Sequence, residues 1–202
     1  MKFFTIILFL FSITLSAKEA LITDGILEVT IKKDGKTYTI KRDVPTIPKE
    51  YLNPLRGKIA PMKIHKEIET IGELEVIDYF KRSQNDDSIL IVDARTEDWY
   101  NKMHIPSAIN IPYINFGNRD NAIETISLEF DVEKRKDGSL DFKNAKTLVI
   151  YCNGIWCAQS EMLIKKAKYS LLKLGYPKDK IKYYRGGMQS WVTLGLSTQK
   201  GE

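Results

Sequence analysis

Cysteine and histidine are scarce in this sequence, with two of each in 202 residues. Two cysteines, Cys152 and Cys157, are too few for the multi-disulfide framework of a small secreted scaffold. They do not suggest a zinc centre either. Such a site takes four ligands at recognisable spacings, and His65 and His104 are far apart and in no ligand spacing with the cysteines. No metal and no cofactor is expected. No stretch concentrates charge of one sign: 31 Lys and Arg are set against 26 Asp and Glu, for a net charge of +5, and the basic residues are scattered. Without a block of aromatics interleaved with Arg or Lys, nucleic acid is not an expected partner. The mild basicity would help only to attract small anions.

The one long apolar run is at the start. Phe3 to Leu15 is broken only by Thr5, Ser12 and Thr14, follows Met1-Lys2, and leads into Ser16, Ala17 and the charged pair Lys18-Glu19. That order is read as a secretory signal peptide over residues 1–17. Cleavage is expected near Ala17, with Ser16 as the alternative because Leu15 is large. An uncleaved anchor is the competing reading, but the run is short of the roughly 20 apolar residues that a span needs. No later segment qualifies, so no stable membrane span is expected after cleavage, and the mature charge falls to +4 with the loss of Lys2. The expected location is outside the cytoplasm, periplasmic if the source is a Gram-negative bacterium.

What remains is globular in composition, 43% hydrophobic and 28% charged, which excludes disorder and collagen-like structure. Residues 18–67 are read as an attachment. Ile26, Val29 and Ile31, then Asp34-Gly35, then Tyr38 and Ile40 predict a β-hairpin over 26–42. Four of the seven prolines fall in residues 43–64, which reads as an extended linker or a wrapping arm. A lone hairpin is marginal in water, so both are expected to pack on the main domain.

From residue 68 to about 198 the pattern alternates. Helix is predicted for Glu73–Phe80, with Leu74, Ile77 and Phe80 on one side. It is also predicted for Thr96–Lys102, for 160–174 (Leu163, Ala167, Leu171 and Leu174 on one face, ended by Gly175 and Pro177) and for Gly187–Leu194. Strands are predicted for Ser88–Asp93, Ala108–Ile111, Thr147–Tyr151 and Ile181–Tyr184. Residues 115–145 read as a polar excursion able to carry a small hairpin at Asp137-Gly138. Strands alternating with helices indicate an α/β fold with a parallel sheet flanked by helices, with ligands bound beyond the carboxyl ends of the strands.

Cys152 lies at such an end, after TLVIY and before NGIWCAQ and a helix opening at Ser160. In a strand–loop–helix arrangement, backbone N–H groups and the helix start can point at the sulfur. Both favour the thiolate, which is the nucleophile. Gly154 permits a tight loop, and Ser160 is a candidate N-cap. A buried cysteine that merely packs is the bland alternative.

Three segments shift the balance. IVDARTEDWYNKMHIPSAINIP (91–112), LVIYC (148–152) and YYRGGMQSW (183–191) resemble the motifs of the rhodanese family, in its order. The resemblance covers roughly residues 68–198. It implies a five-stranded parallel sheet flanked by helices and sulfurtransferase chemistry. In that chemistry a catalytic cysteine, here Cys152, takes sulfane sulfur from a small sulfur-containing anion such as thiosulfate. It holds the sulfur as a persulfide and passes it to a thiol or other thiophilic acceptor. The loop Asn153, Gly154, Ile155, Trp156, Cys157, Ala158, Gln159 and Ser160 resembles a subgroup with C-N-G-x-x-C followed by a Ser, in which the first Cys is the nucleophile. Asp93 and Arg95 are expected to scaffold the strand end. Gly186 and Gly187 are expected to allow close backbone approach. His104 should brace a turn, and Trp191 and Trp99 should pack in the core.

Two departures from the family stand out. No residue between Cys152 and Ser160 is basic, so an anionic donor must rely on N–H groups or on Arg95, Arg119 or Arg185 from elsewhere. The same absence argues against a cysteine phosphatase, which needs a loop arginine. Cys157 inside the loop is either an inert thiol or a partner that resolves a modified Cys152 as a disulfide, and Trp156 either walls the pocket or only packs. Sulfurtransferase, thiol-disulfide or sulfur-carrier protein, and non-catalytic interaction module all remain open from the sequence. Donor, acceptor and oligomeric state are not encoded in any motif.

Overall fold

Short apolar runs bounded by turn residues become the strands of one central sheet. The structure, a computed structural model, describes residues 20–53 and 55–201. The segment read as a signal peptide lies outside the described residues. In chain order the elements are β1 (Glu28–Lys33), β2 (Lys36–Lys41), β3 (Glu69–Ile71), α1 (Glu73–Arg82), β4 (Ile89–Asp93), α2 (Glu97–Lys102), β5 (Ile109–Asn110), α3 (Arg119–Glu129), β6 (Glu133–Lys134), β7 (Leu140–Asp141), β8 (Thr147–Tyr151), α4 (Gln159–Glu161), α5 (Leu171–Leu174), β9 (Ile181–Tyr184) and α6 (Gly187–Thr193). The sheet order is β3-β9-β8-β4-β5, with every neighbouring pair parallel. The expected fold is therefore present: an α/β domain on a five-stranded parallel sheet flanked by helices.

Both faces of the sheet are covered, so its strands read as continuous apolar runs rather than as alternation. Leu148 and Ile150 of β8 and Ile181 and Tyr183 of β9 enter one core with Phe116 and Ile126. Val149 and Tyr151, with Tyr184, enter the other with Phe80 and Trp191. The hairpin β1–β2 turns at Asp34-Gly35, and its Ile31 and Ile40 are buried in that second core.

Several expectations need correction. The residue pattern locates four strands of the sheet; the fifth that the resemblance implies, β3, is a three-residue edge strand beside β9. Helix α1 runs on to Arg82 and buries Val76, Ile77 and Phe80, whereas Leu74 is 51% exposed. The excursion 115–145 contains the predicted small hairpin, β6–β7. It also contains α3, which the prediction lacked; Asn118 Oδ1 caps α3 by accepting from the N–H groups of Asp120 and Asn121. The continuous helix expected over 160–174 is broken. Three α residues (α4) lead into a π-helical turn, Met162–Lys166, and the chain then leaves the helix before α5. Tertiary bonds hold the break. The Tyr169 N–H bonds to the Phe116 carbonyl (3.0 Å), and Ser170 Oγ donates to the Lys165 carbonyl (2.9 Å).

Candidate active site

The carboxyl ends of β4, β8 and β9 meet at one edge of the sheet, and Cys152 stands there at the first position after β8. The loop beyond it is tied down by main-chain bonds. Cys157 N–H bonds to Gly154 O (2.9 Å), which turns the loop back toward its start. The first turn of α6 supplies N–H groups that have no partner inside the helix: Met188 donates to Cys152 O and Gln189 to Asn153 O, both at 2.9 Å. This approach requires Gly187. Its φ is +55°, and a Cβ there would overlap the Cys152 carbonyl oxygen and stand 2.8 Å from Gly154 N. Gly187 makes this close approach to the loop backbone, whereas a Cβ at Gly186 would meet the side chains of Ser190, Glu73 and Tyr184 instead.

Cys152 is 3% exposed and Cys157 6% exposed, and both thiols are free. Neutral Cys152 has the Cys157 carbonyl oxygen as acceptor at 3.4 Å. Burial opposes charge on Cys152, yet the S–H of Cys157, the hydroxyl of Ser160 and the backbone N–H groups of Ser160 and Gly154 outweigh it, and its pKa is lowered. The Cys157 thiol moves the other way, raised first by its interaction with the Cys152 sulfur and then by burial. The negative charge of the pair therefore belongs on Cys152. Cys157 Sγ also reaches Gln159 Oε1 at 3.3 Å.

Ser160 is not the N-cap it was expected to be. The cap position falls to Ala158, and Ser160 lies inside α4. Its hydroxyl is fully buried, meets no partner at regular hydrogen-bond geometry, and faces the sulfur closely enough to favour the anion. The positive end of a long helix is not the source of stabilisation, because only three α residues precede the π turn. Local donors do that work.

Asp93 and Arg95 form the strand-end scaffold. Both side chains are fully buried, and their charges meet at 2.6 Å with Arg95 Nε bridging both carboxylate oxygens. Burial would lower the Arg95 pKa, but the Asp93 carboxylate more than offsets it and the net shift is upward. The remaining guanidinium donors go to Met103 O (2.5 Å), Tyr51 Oη (3.1 Å) and Asn153 Oδ1 (3.3 Å). Arg95 is thus spent on structure and is not the anion-binding arginine that was a candidate. Arg185 donates through Nε and Nη2 to Ala60 O (3.1 and 2.9 Å), and Arg119 is exposed at the start of α3. His104 braces a turn as expected: its ring stacks on Tyr100 with centroids 3.9 Å apart, and burial lowers its pKa. Trp191 is core, and Trp99 is half-buried against it. Among the described residues, no cluster of His, Cys, Asp or Glu is arranged to hold a metal ion, and no helix is long and apolar enough to cross a membrane.

Tyr51, Gly57 and Ala60 belong to a wrapping arm, not a free linker. Tyr51 donates to Asn153 Oδ1 (3.0 Å), and Gln189 Nε2 donates to Tyr51 O (3.2 Å). Ala60 N–H bonds to Ile155 O at 2.6 Å. Gly57, at φ +54°, lies so close that a Cβ would overlap the Trp156 carbonyl oxygen. Arg56 stacks over the Trp156 ring at 5.3 Å. Trp156 therefore fastens the arm rather than walling an open pocket. No local pattern marks Tyr51 as part of the site, since its partner Asn153 is 102 residues away.

Residues 76–194 match the family model of the rhodanese-like domain. The chain belongs to the rhodanese-like domain family. A relative of this rhodanese-like chain, thiosulfate:glutathione sulfurtransferase from Saccharomyces cerevisiae, is 28% identical over 113 residues, which is 55% of this chain and 70% of that protein. Similar solved structures include a protein from Bacillus halodurans (24% identity, 65% of this chain and 77% of that one, TM-score 0.44). Another is a thiosulfate sulfurtransferase from Pseudomonas aeruginosa (19% identity, 68% and 21%, TM-score 0.45). At the level of the rhodanese-like family, sulfurtransfer is the chemistry to which this chain is related.

Proposed function

We propose that the protein is a sulfurtransferase that carries sulfane sulfur as a persulfide on Cys152. The observation that carries this reading is the placement of Cys152, buried at the carboxyl end of β8 in a loop held by the Cys157 N–H to Gly154 O bond and by Met188 N–H on its own carbonyl, where neighbouring donors favour its charged form. The thiolate attacks the sulfane sulfur of the donor, and the donor's S–S bond breaks. Its remaining part leaves with the electron pair, as sulfite when the donor is thiosulfate. An acceptor thiolate then attacks the outer sulfur and frees the Cys152 thiolate. Donors whose charge is spread along a sulfur chain, such as polysulfide, suit a loop with no basic residue better than thiosulfate does. The first 17 residues, read as a signal peptide, would place this chemistry outside the cytoplasm. The burial of Cys152 favours a second reading, a carrier that stores sulfane sulfur with slow turnover.

The test is cyanide-dependent thiocyanate release from thiosulfate, polysulfide and a thiosulfonate. Wild type is expected to release thiocyanate with at least one donor, and Cys152→Ser with none. Equal behaviour of the two proteins with all three donors overturns the proposal. A stable persulfide by mass spectrometry with little turnover marks the carrier.

A further inference from the structure

Cys157 has no role in the transfer cycle that its carbonyl oxygen or a hydroxyl group could not fill. Yet it is a thiol, buried and free, and the Gly154–Cys157 bond turns it back so that its carbonyl oxygen lies 3.4 Å from Cys152 Sγ. We infer that Cys157 is a resolving thiol that converts the Cys152 persulfide into a Cys152–Cys157 disulfide and expels hydrosulfide, so that the site reduces sulfane sulfur as well as transferring it. The inference rests on the persulfide reading above.

The chemistry follows from where the charge sits. While Cys152 is a thiolate, it holds the Cys157 proton and repels a second anion, so Cys157 is silent. Once Cys152 carries an outer sulfur, the negative charge moves to that outer atom and the inner Cys152 Sγ becomes an electrophile. Cys157 Sγ attacks Cys152 Sγ. The bond between Cys152 Sγ and the outer sulfur breaks, and the electron pair leaves with the outer sulfur. That sulfur takes the Cys157 proton and departs as hydrosulfide. The sulfane sulfur gains two electrons, and the two cysteine sulfurs lose two in forming their bond. The oxidant is thus the sulfur donor itself, and a dithiol reductant returns the pair to thiols.

A second observation supports an additional sulfur atom at this spot. Ser160 Oγ is fully buried, has no hydrogen-bond partner and faces the Cys152 sulfur. A buried hydroxyl without a partner carries a desolvation cost; beside the Cys152 thiolate, an anionic outer sulfur or departing hydrosulfide is a further acceptor for it. The short spacing also fits. A disulfide across five residues closes too small a loop to act mainly as a staple, whereas it suits a bond that is made and broken in each cycle.

A single-turnover experiment tests this with thiosulfate as the donor and no added thiol, so that any sulfide must come from the protein. Intact mass, an alkylated peptide map and released sulfide are read together. Wild type is expected to release about one sulfide per chain and to end with an intramolecular Cys152–Cys157 disulfide, which a dithiol reverses. Cys157→Ser, which keeps an O–H donor in place, is expected to accumulate one extra sulfur on Cys152 and to release no sulfide above the Cys152→Ser background. Cys157→Ala serves as a second variant, with circular dichroism to show that it folds. If wild type and both Cys157 variants hold the persulfide equally long, the inference is overturned. A disulfide formed between chains, seen on a non-reducing gel, overturns it as well. If Cys157→Ser and Cys157→Ala fold but never gain sulfur from thiosulfate or from polysulfide, it is the persulfide reading that fails.

Discussion

Strands β4 and β8 lie side by side with Asp93 opposite Tyr151, and within two residues they end in opposite ways. At the end of β4, two opposite charges are removed from water and every donor of Arg95 finds an acceptor. At the end of β8, a sulfur that becomes charged sits among neutral donors, one of which, Ser160, has no other partner. The first arrangement has only one stable state. The second is balanced between two protonation states. Asn153 joins them, because its Oδ1 accepts from both Arg95 and Tyr51. A closed ion pair is therefore used to aim the residue next to a buried thiol.

The largest effect should come from breaking the closed side. Arg95→Met leaves the Asp93 carboxylate buried and unpaired, and should cost about 3–5 kcal/mol by urea denaturation. Adding Asp93→Asn should cost less than the sum of the two single changes, since the pair is lost once. Strictly additive losses would mean that the two strand ends are not organised as described.

A smaller effect is expected where the two sides join. Tyr51→Phe removes the hydrogen bond to Asn153 and the acceptor for Arg95 Nη1. The expected loss is about 1–2 kcal/mol, with sulfur transfer reduced because Asn153 is less firmly held. Unchanged stability together with unchanged kinetics would detach the arm from the site.

The smallest change in stability, within about 0.5 kcal/mol, is expected for Ser160→Ala, because that hydroxyl has no partner to lose. Its effect should appear on pH instead. The folded Cys152 thiol has a lowered pKa, so the fold favours the thiolate. The resulting stabilisation is fully present above the pKa of an ordinary thiol and is lost as pH falls through the lowered one. Ser160→Ala should move the Cys152 titration upward and narrow that window. Thiolate ultraviolet absorbance against pH, with Cys152→Ser as blank, reads the shift. A downward movement would show that the hydroxyl opposes the charge.

The parts legible in the sequence were those with local signatures. Ser88–Asp93, TLVIY and Ile181–Tyr184 are short apolar runs and became β4, β8 and β9. Asp93, Arg95, Cys152 and Gly187 sit at their ends, where the alternating pattern already placed a site. The parts that were missed depend on tertiary contact. Leu163, Ala167, Leu171 and Leu174 keep helical spacing, but the Phe116 carbonyl draws off the Tyr169 N–H and interrupts the helix. Helix α3 was readable in principle, from Asn118 as cap and Ala122, Ile123 and Ile126 as its buried side, but flanking charges hid it. Strand β3 is three residues at an edge and too short to show a period.

The family match begins at residue 76, yet Tyr51, Gly57 and Ala60 precede it and lie over the reactive loop. A fragment trimmed to the matched boundaries would keep Cys152 and discard the arm that lies over its loop. Rates measured on it would describe an uncovered thiol, one that reagents and oxidants reach without first displacing the Ala60–Ile155 bond. For this chain, Tyr51, Gly57 and Ala60 set the surroundings of a loop that the family match alone would leave bare.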